Sequence, residues 1–197
     1  MRLCRLLIST TAAALLVGSC TSGEKDVRDP DPVATPPVVN SAPYLCELVP
    51  EQAFRLVSGV TKPQTAKTDG SDEDGECLTP GNSPYSLVVG WKQERPAASR
   101  QYLTGVLDDW LAVYRRHDGV VLPVDLGEGM AVHMPDGPFG EQPYRVVAKF
   151  RCDGQERLVT LYLSQVAKGR DAMGDLIALM RIAQRRYGEV HGCVPGT

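Results

Sequence analysis

The chain has 197 residues, of which 43% are hydrophobic and 23% charged, and its formal net charge is −3 at pH 7. That length holds one sizeable core after its flanking segments are set aside. The mild acidity excludes a role built on neutralising phosphates, so no nucleic-acid partner is expected, and it excludes a polybasic membrane-surface role.

The first element is an address. Arg2 and Arg5 precede an apolar run from Leu6 to Val17, and the small pair Gly18-Ser19 then precedes Cys20. The run is shorter than the ~20 residues that a bilayer span needs, and it has the length of a signal-peptide core. The arrangement resembles the bacterial lipobox, which implies a diacylglyceryl group on the Cys20 thiol and cleavage before it. Residues 1–19 are then a signal peptide. The protein is expected at the cell membrane, lipid-anchored on its extracellular face, with two acyl chains meeting the two-signal requirement for stable anchoring. Loss of Arg2 and Arg5 takes the formal charge from −3 to −5.

Processing also changes the cysteine count. Of six cysteines, Cys4 leaves and Cys20 carries lipid, so Cys46, Cys77, Cys152 and Cys193 remain. An even number in an oxidising compartment points to disulfides, and four cysteines allow three connectivities. The preferred pairing is Cys46–Cys77 with Cys152–Cys193, since each ties a terminal segment to a neighbouring strand. Loops of that length stabilise by roughly 3–4 kcal/mol each in the chain-entropy account. A four-cysteine zinc site is the rival, and the absence of a C-x-x-C pair counts against it.

Residues 20–43 read as the lipidated cysteine and a tether rich in proline (Pro30, Pro32, Pro36, Pro37, Pro43) with little to bury. Residues 44–197 read as one domain. Pro50 suits a helix start, Ala53, Phe54 and Val57 make an apolar stripe, and Gly59 suits the position after its end. Residues 61–84, with the acidic run Asp69 to Glu76, read as a long mobile loop pinned by Cys77. Ser86 to Trp91 reads as a strand. Leu103, Val106, Leu107, Trp110, Leu111 and Tyr114 recur at helical spacing over Ala98 to His117. Short strands follow at Val120 to Val124 and Gly129 to Met134. Tyr144 to Cys152 and Arg157 to Leu163 flank Asp153-Gly154, a hairpin signal. Pairing Ala148 with Val159 sets Val146 opposite Leu161 and Tyr144 opposite Leu163 on one buried face, leaving Arg145, Lys149 and Arg151 outward. A last helix starts at Asp171, buries Met173, Leu176, Ile177, Met180 and Tyr187, and ends at Gly188. Gly174 in its apolar stripe suggests a close neighbour, with a strand backbone as the simplest one. The expected class is α+β, a mainly antiparallel β-sheet with helices packed on one side and two disulfides.

Cys46-Glu47-Leu48-Val49-Pro50, Cys77 and Leu126-Gly127-Glu128-Gly129-Met130-Ala131 carry a resemblance. Over most of residues 44–190 the chain resembles an uncharacterised domain family of actinobacterial lipoproteins. It departs from that pattern at Thr79, where the family often has tryptophan. The resemblance implies a fold similar to the extracellular sensor domains of actinobacterial kinases, and a binding role by analogy. The family carries no known catalytic residues, so none transfer.

Motifs for chemistry are scarce. There is no Gly-x-Ser-x-Gly elbow, and His117, His133 and His191 lack the spacing of a metal motif. Asp125, Glu128 and Asp136 flank one strand and are more simply turn formers than a hydrolytic carboxylate pair. Gly127-x-Gly129 opens a strand, not a helix, and so serves a bend instead of a dinucleotide. The acidic run has Asp74 where a calcium loop needs glycine, which favours a solvated loop over a weak calcium site. Trp91, Trp110, Tyr102 and Tyr114 are expected in the core, with an apolar cavity between sheet and helices as the functional alternative. The expectation is a non-enzymatic binding or sensing domain without catalytic residues, metal or cofactor. Its sheet face and the 61–84 segment would contact a small apolar ligand. The alternative is a docking or scaffolding lipoprotein that holds another envelope protein.

Cys20→Ala is expected to release the protein from the membrane fraction, and quantitative partition of that variant with membranes would refute the lipid anchor.

Overall fold

A computed structural model describes residues 35–80, 84–94, 101–136 and 141–196. The signal, Cys20, the tether up to Ala34 and the start expected for the second helix at 98–100 lie outside them. The elements run β1 (Tyr44–Leu45), β2 (Val49–Pro50), α1 (Glu51–Ser58), β3 (Lys67–Gly70), β4 (Asp74–Leu78), β5 (Leu87–Gln93) and α2 (Gln101–Arg115). They continue with β6 (Val120–Val121), a 3-10 turn at Val124–Leu126, β7 (Glu128–His133), β8 (Tyr144–Cys152), β9 (Gln155–Leu163), α3 (Ala172–His191) and β10 (Pro195–Gly196). The main sheet has the order β3-β4-β5-β9-β8-β7-β6, with β10 also on β8. Every pairing in it is antiparallel.

The centre of this sheet follows from one turn. Asp153 and Gly154 both take positive φ, 52° and 78°, which is the backbone that a two-residue hairpin of matching twist requires. The register is then Ala148 opposite Val159, Val146 opposite Leu161 and Tyr144 opposite Leu163, as the alternation implies. On one face Val146, Ala148, Val159 and Leu161 pack with Val89 and Ala131 against Phe54 and Val57 of α1 and against Leu176, Leu179, Met180 and Tyr187 of α3. Each fully buried large side chain there contributes about 2 kcal/mol of burial.

The α+β class, the antiparallel sheet and both disulfides are as expected, but the helices do not all share a side. Leu103, Leu107, Leu111 and Tyr114 of α2 pack on Met130, Val132, Val147 and Leu158, which point away from α3. The alternating positions of β7, β8 and β9 therefore carry apolar residues on both faces. A sheet of that composition has to be covered twice.

Residues 61–84 are not a loop throughout. β3 and β4 form a hairpin that joins the sheet through β5. Side chains hold it where apolar alternation does not. The Trp91 indole lies so close to Gly75 that a Cβ there would sit 2.4 Å from the ring. Its Nε1–H donates to Ser71 O at 2.8 Å, and Lys92 Nζ meets Asp74 Oδ1 at 2.6 Å. Cys77 is bonded to Cys46, with Cα atoms 5.6 Å apart.

α3 organises both ends of the domain. Asp171 caps it by accepting from Gly174 N–H at 3.1 Å. The close neighbour of Gly174 is that same carboxylate, 2.5 Å from a Cβ built there, and not a strand. Arg170 makes two bonds to Asp175, at 2.5 and 2.7 Å, and donates to Pro36 O at 3.1 Å. Val38 packs on the core and Pro43 O accepts from Glu51 N–H at 2.9 Å, so the chain from Pro36 to Pro43 belongs to the domain and not to the tether. Gly188 does not end the helix, which runs on to His191 and closes at Gly192 with φ 68°. Gly188 is needed because the C-terminal strand crosses it: a Cβ would lie 2.5 Å from Pro195 Cδ and 2.6 Å from Cys193 O.

Cys193 is bonded to Cys152 with Cα atoms 5.5 Å apart, holding β10 on β8. Replacing both by alanine is expected to lower stability by about 2–4 kcal/mol in urea unfolding. Hydrogen exchange should then rise at residues 193–196 while α1 stays protected. Unchanged exchange at those residues would mean that Pro195 and Gly188 hold the strand without the bond.

Candidate functional site

α2 covers only part of its face. It lies over β7, β8 and β9, and the sheet continues past its flank through β5, β4 and β3. Strand register fixes what points into the space beside it. Glu76, Gly90 and Thr160 lie in one cross-strand row, and Leu78, Val88, Tyr162 and Arg145 in the next. Trp110, Val113 and Tyr114 of α2 face them.

The result is an open trough of two adjoining cavities. One of about 600 Å³ is lined by Tyr85, Val88, Trp110, Tyr114, Met134, Gln142, Arg145 and Tyr162 among others. The other, of about 410 Å³, lies between Trp110 and the β3–β4 hairpin. Glu76, Trp110 and Tyr162 line both. Gly90 deepens the floor. A Cβ there would lie 2.6 Å from Thr160 Oγ1, so no side chain fits between Val88 and Lys92.

Arg145 sits at the deep end, 7% exposed. Its guanidinium carbon is 4.5 Å from the centre of the Tyr162 ring, a cation–π contact made stronger by the shortage of water. Its Nε–H donates to Gln142 O at 2.8 Å. The Tyr114 and Tyr162 hydroxyls are hydrogen-bonded to each other, and Tyr114 also to Arg145. Burial pushes both phenols above the ordinary tyrosine range, against the pull of the Arg145 charge. They remain neutral hydroxyls. On the hairpin side Asp74 is paired with Lys92, while Glu76 is exposed at the rim.

The lining thus offers flat aromatic surface, neutral hydroxyls and charges of both signs. No histidine or cysteine lines the trough among the described residues. A larger groove of about 1100 Å³ runs between the 36–43 segment and α1. Its charged side chains are already engaged: Glu51 accepts from Gln64 N–H at 3.1 Å, and Arg55 donates to Val60 O and Thr61 O. That groove has room without convergent polar groups, and the trough has both.

The residues singled out in the sequence fall elsewhere. Cys20 lies outside the described residues, and Cys46, Cys77, Cys152 and Cys193 are all in disulfides. His117 follows α2, His133 stacks on Tyr144 at 4.3 Å between ring centres, and His191 lies 4.1 Å from the Tyr187 ring. Asp125 pairs with Arg181 on the α3 side, whereas Glu128 meets Lys149 at 3.2 Å on the α2 side, so the two carboxylates do not converge. Among the described residues no group of three or more histidine, cysteine or acidic side chains is placed to hold a metal. Gly127 serves the bend, with φ 78° and a carbonyl, Lys149 O, 2.2 Å from where a Cβ would be. Tyr114 is in the core as expected, Trp91 and Trp110 are half-buried, and Tyr102 is exposed.

Arg145, Tyr162, Thr160, Gly90 and Glu76 were not singled out as site residues. The signal that could have found them is the mixed face of the β8–β9 hairpin, where Val147 and Leu158 alternate with Arg145, Lys149, Thr160 and Tyr162. A solvent face has no use for that Val and Leu, so the polar residues beside them lie under or beside a covering element.

Comparison of the chain with protein-family models, with curated proteins and with solved structures finds no match.

The neutral phenols give a direct check. The folded-state values lie above the unfolded one, so the unfolded chain loses these protons first, and stability falls as pH rises from about 10. In the folded protein Tyr114→Phe is expected to leave the phenolate absorbance rise near pH ~10 undiminished. Loss of one phenol's share of that rise would place Tyr114 in solvent.

Proposed function

We propose that this chain is a lipid-anchored domain of the bacterial cell envelope that binds a ligand in the trough beside α2 without transforming it. The observation that carries this reading is the convergence of Arg145, Tyr114, Tyr162 and Glu76, from four separate elements, on one open, aromatic-walled space. Groups on four elements are brought together only by the fold, and the open flank of α2 leaves Glu76 and Tyr162 reachable in front of the more deeply set Arg145 and Tyr114. The charged start, apolar run and Gly18-Ser19-Cys20 support the envelope location, as does the use of all four remaining cysteines in disulfides. The resemblance to actinobacterial lipoproteins with sensor-like domains agrees with a binding role.

A second reading is favoured by a different feature. β6 is one of the sheet's two edge strands, and its Val120 and Val121 and the nearby Val124 are 42%, 71% and 84% exposed. Apolar side chains gathered at an open edge suit docking on another envelope protein.

Native mass spectrometry of the lipidated chain released gently from its own envelope separates the two. A discrete small-molecule increment that disappears in Trp110→Ala is expected. A bare mass, together with crosslinks from position 121 to another protein, would overturn ligand binding in favour of docking.

A further inference from the structure

Resting on the trough as the binding site, we propose that its ligand is a short oligosaccharide, held by stacking on Trp110 and Tyr85 and by hydrogen bonds to Glu76, Arg145 and the Tyr162 hydroxyl, with the buried Tyr114 holding the last two in place.

Three features choose this class. The first is how open the trough is. An acyl chain or other apolar ligand gains by leaving water altogether, and such ligands are taken into enclosed cavities. This space is an open channel with Glu76, Arg145 and Gln142 along it, so an apolar occupant would keep one side wet and desolvate charges on the other. A sugar ring suits both conditions. Its C–H face covers an aromatic side chain, while its outward hydroxyls stay hydrated.

The second feature is the polar set. Sugar hydroxyls both donate and accept, and are best met by groups of each kind side by side. Arg145 donates, Glu76 accepts, and the Tyr162 phenol and the Thr160 hydroxyl do both, while Tyr114 is bonded to Arg145 and Tyr162 behind them. Burial keeps the phenols protonated, so they act as hydroxyl partners and not as anions.

The third feature disposes of the main rival, an extended peptide. Peptides bound on sheets gain affinity from main-chain hydrogen bonds to a free edge. β5, at the floor of the trough, is paired to β4 on one side and β9 on the other along its length. It offers side chains alone, and the edge strand β3 reaches the trough only at Asp69 and Gly70, too short a stretch for strand addition. The length of the trough, two adjoining cavities with Trp110 between them, fits several rings in a row better than one.

Of the chain's two tryptophans, Trp110 stands over the trough, whereas the Trp91 side chain packs on the opposite face of the sheet. The full lipidated chain in detergent would be titrated with chitotetraose, cellotetraose and maltotetraose, followed by tryptophan fluorescence in Trp91→Phe and by calorimetry in the unaltered protein. Saturable binding of at least one of them is expected, weakened tenfold or more in Trp110→Ala and in Tyr85→Ala. Tyr85 is 41% exposed, so its replacement leaves the core intact even if that of Trp110 does not. No binding of any of the three, with a non-carbohydrate adduct such as a peptide found on the native protein, would overturn the sugar assignment and leave the trough as a binding site. No binding and no adduct would overturn both.

Discussion

The two central strands of the sheet are joined by Asp153-Gly154, and almost everything else is placed by that hairpin. With both residues at positive φ the register has no freedom to slip, because a shift of one residue would exchange the two faces of β8 and β9. One face would lose Val146, Ala148 and Leu161 from beneath α3. The other would lose Val147 and Leu158 from beneath α2. A single turn thus determines which residues form two separate cores and, at the flank of the second, which residues meet in the trough.

The second core is the less conventional of the two. It includes a nearly buried arginine, and burying a cation is costly unless its donors are used. Arg145 meets that cost with the Gln142 carbonyl, the face of Tyr162 and the hydroxyl of Tyr114. The tyrosines are tied to it in return, so the polar end of the trough is held by interactions within the protein itself. Preorganisation of this sort lowers the ordering cost of binding. Gly90 acts with it, as a floor position where a missing side chain makes depth.

How far the fold could be read in the sequence depended on where the structural information lay. The β8–β9 register was legible because turn chemistry and apolar alternation agree there. The cap at Asp171 was legible from its position before an apolar helical stripe. The β3–β4 hairpin was not, since Lys67 to Gly70 is exposed throughout and is held by contacts from Trp91 and Lys92, some twenty residues away. Assigning α2 to the second face required weighing Val147 and Leu158 against the charged residues alternating with them. The trough was the least legible part. Glu76, Gly90, Trp110, Arg145 and Tyr162 belong to five elements spread along the chain, and no local pattern marks any of them.

The meeting of both ends of the described domain on α3 has a consequence for orientation. Thr35 enters beside Arg170, whose guanidinium holds the Pro36 carbonyl at the helix start, and β10 closes over Gly188 near the helix end. Anything that grips this domain by its first residues grips it by the α3 side of the sheet. The trough opens on the reverse side, like the palm of a hand held by its back, so whatever lies across it does not meet the segment at Pro36.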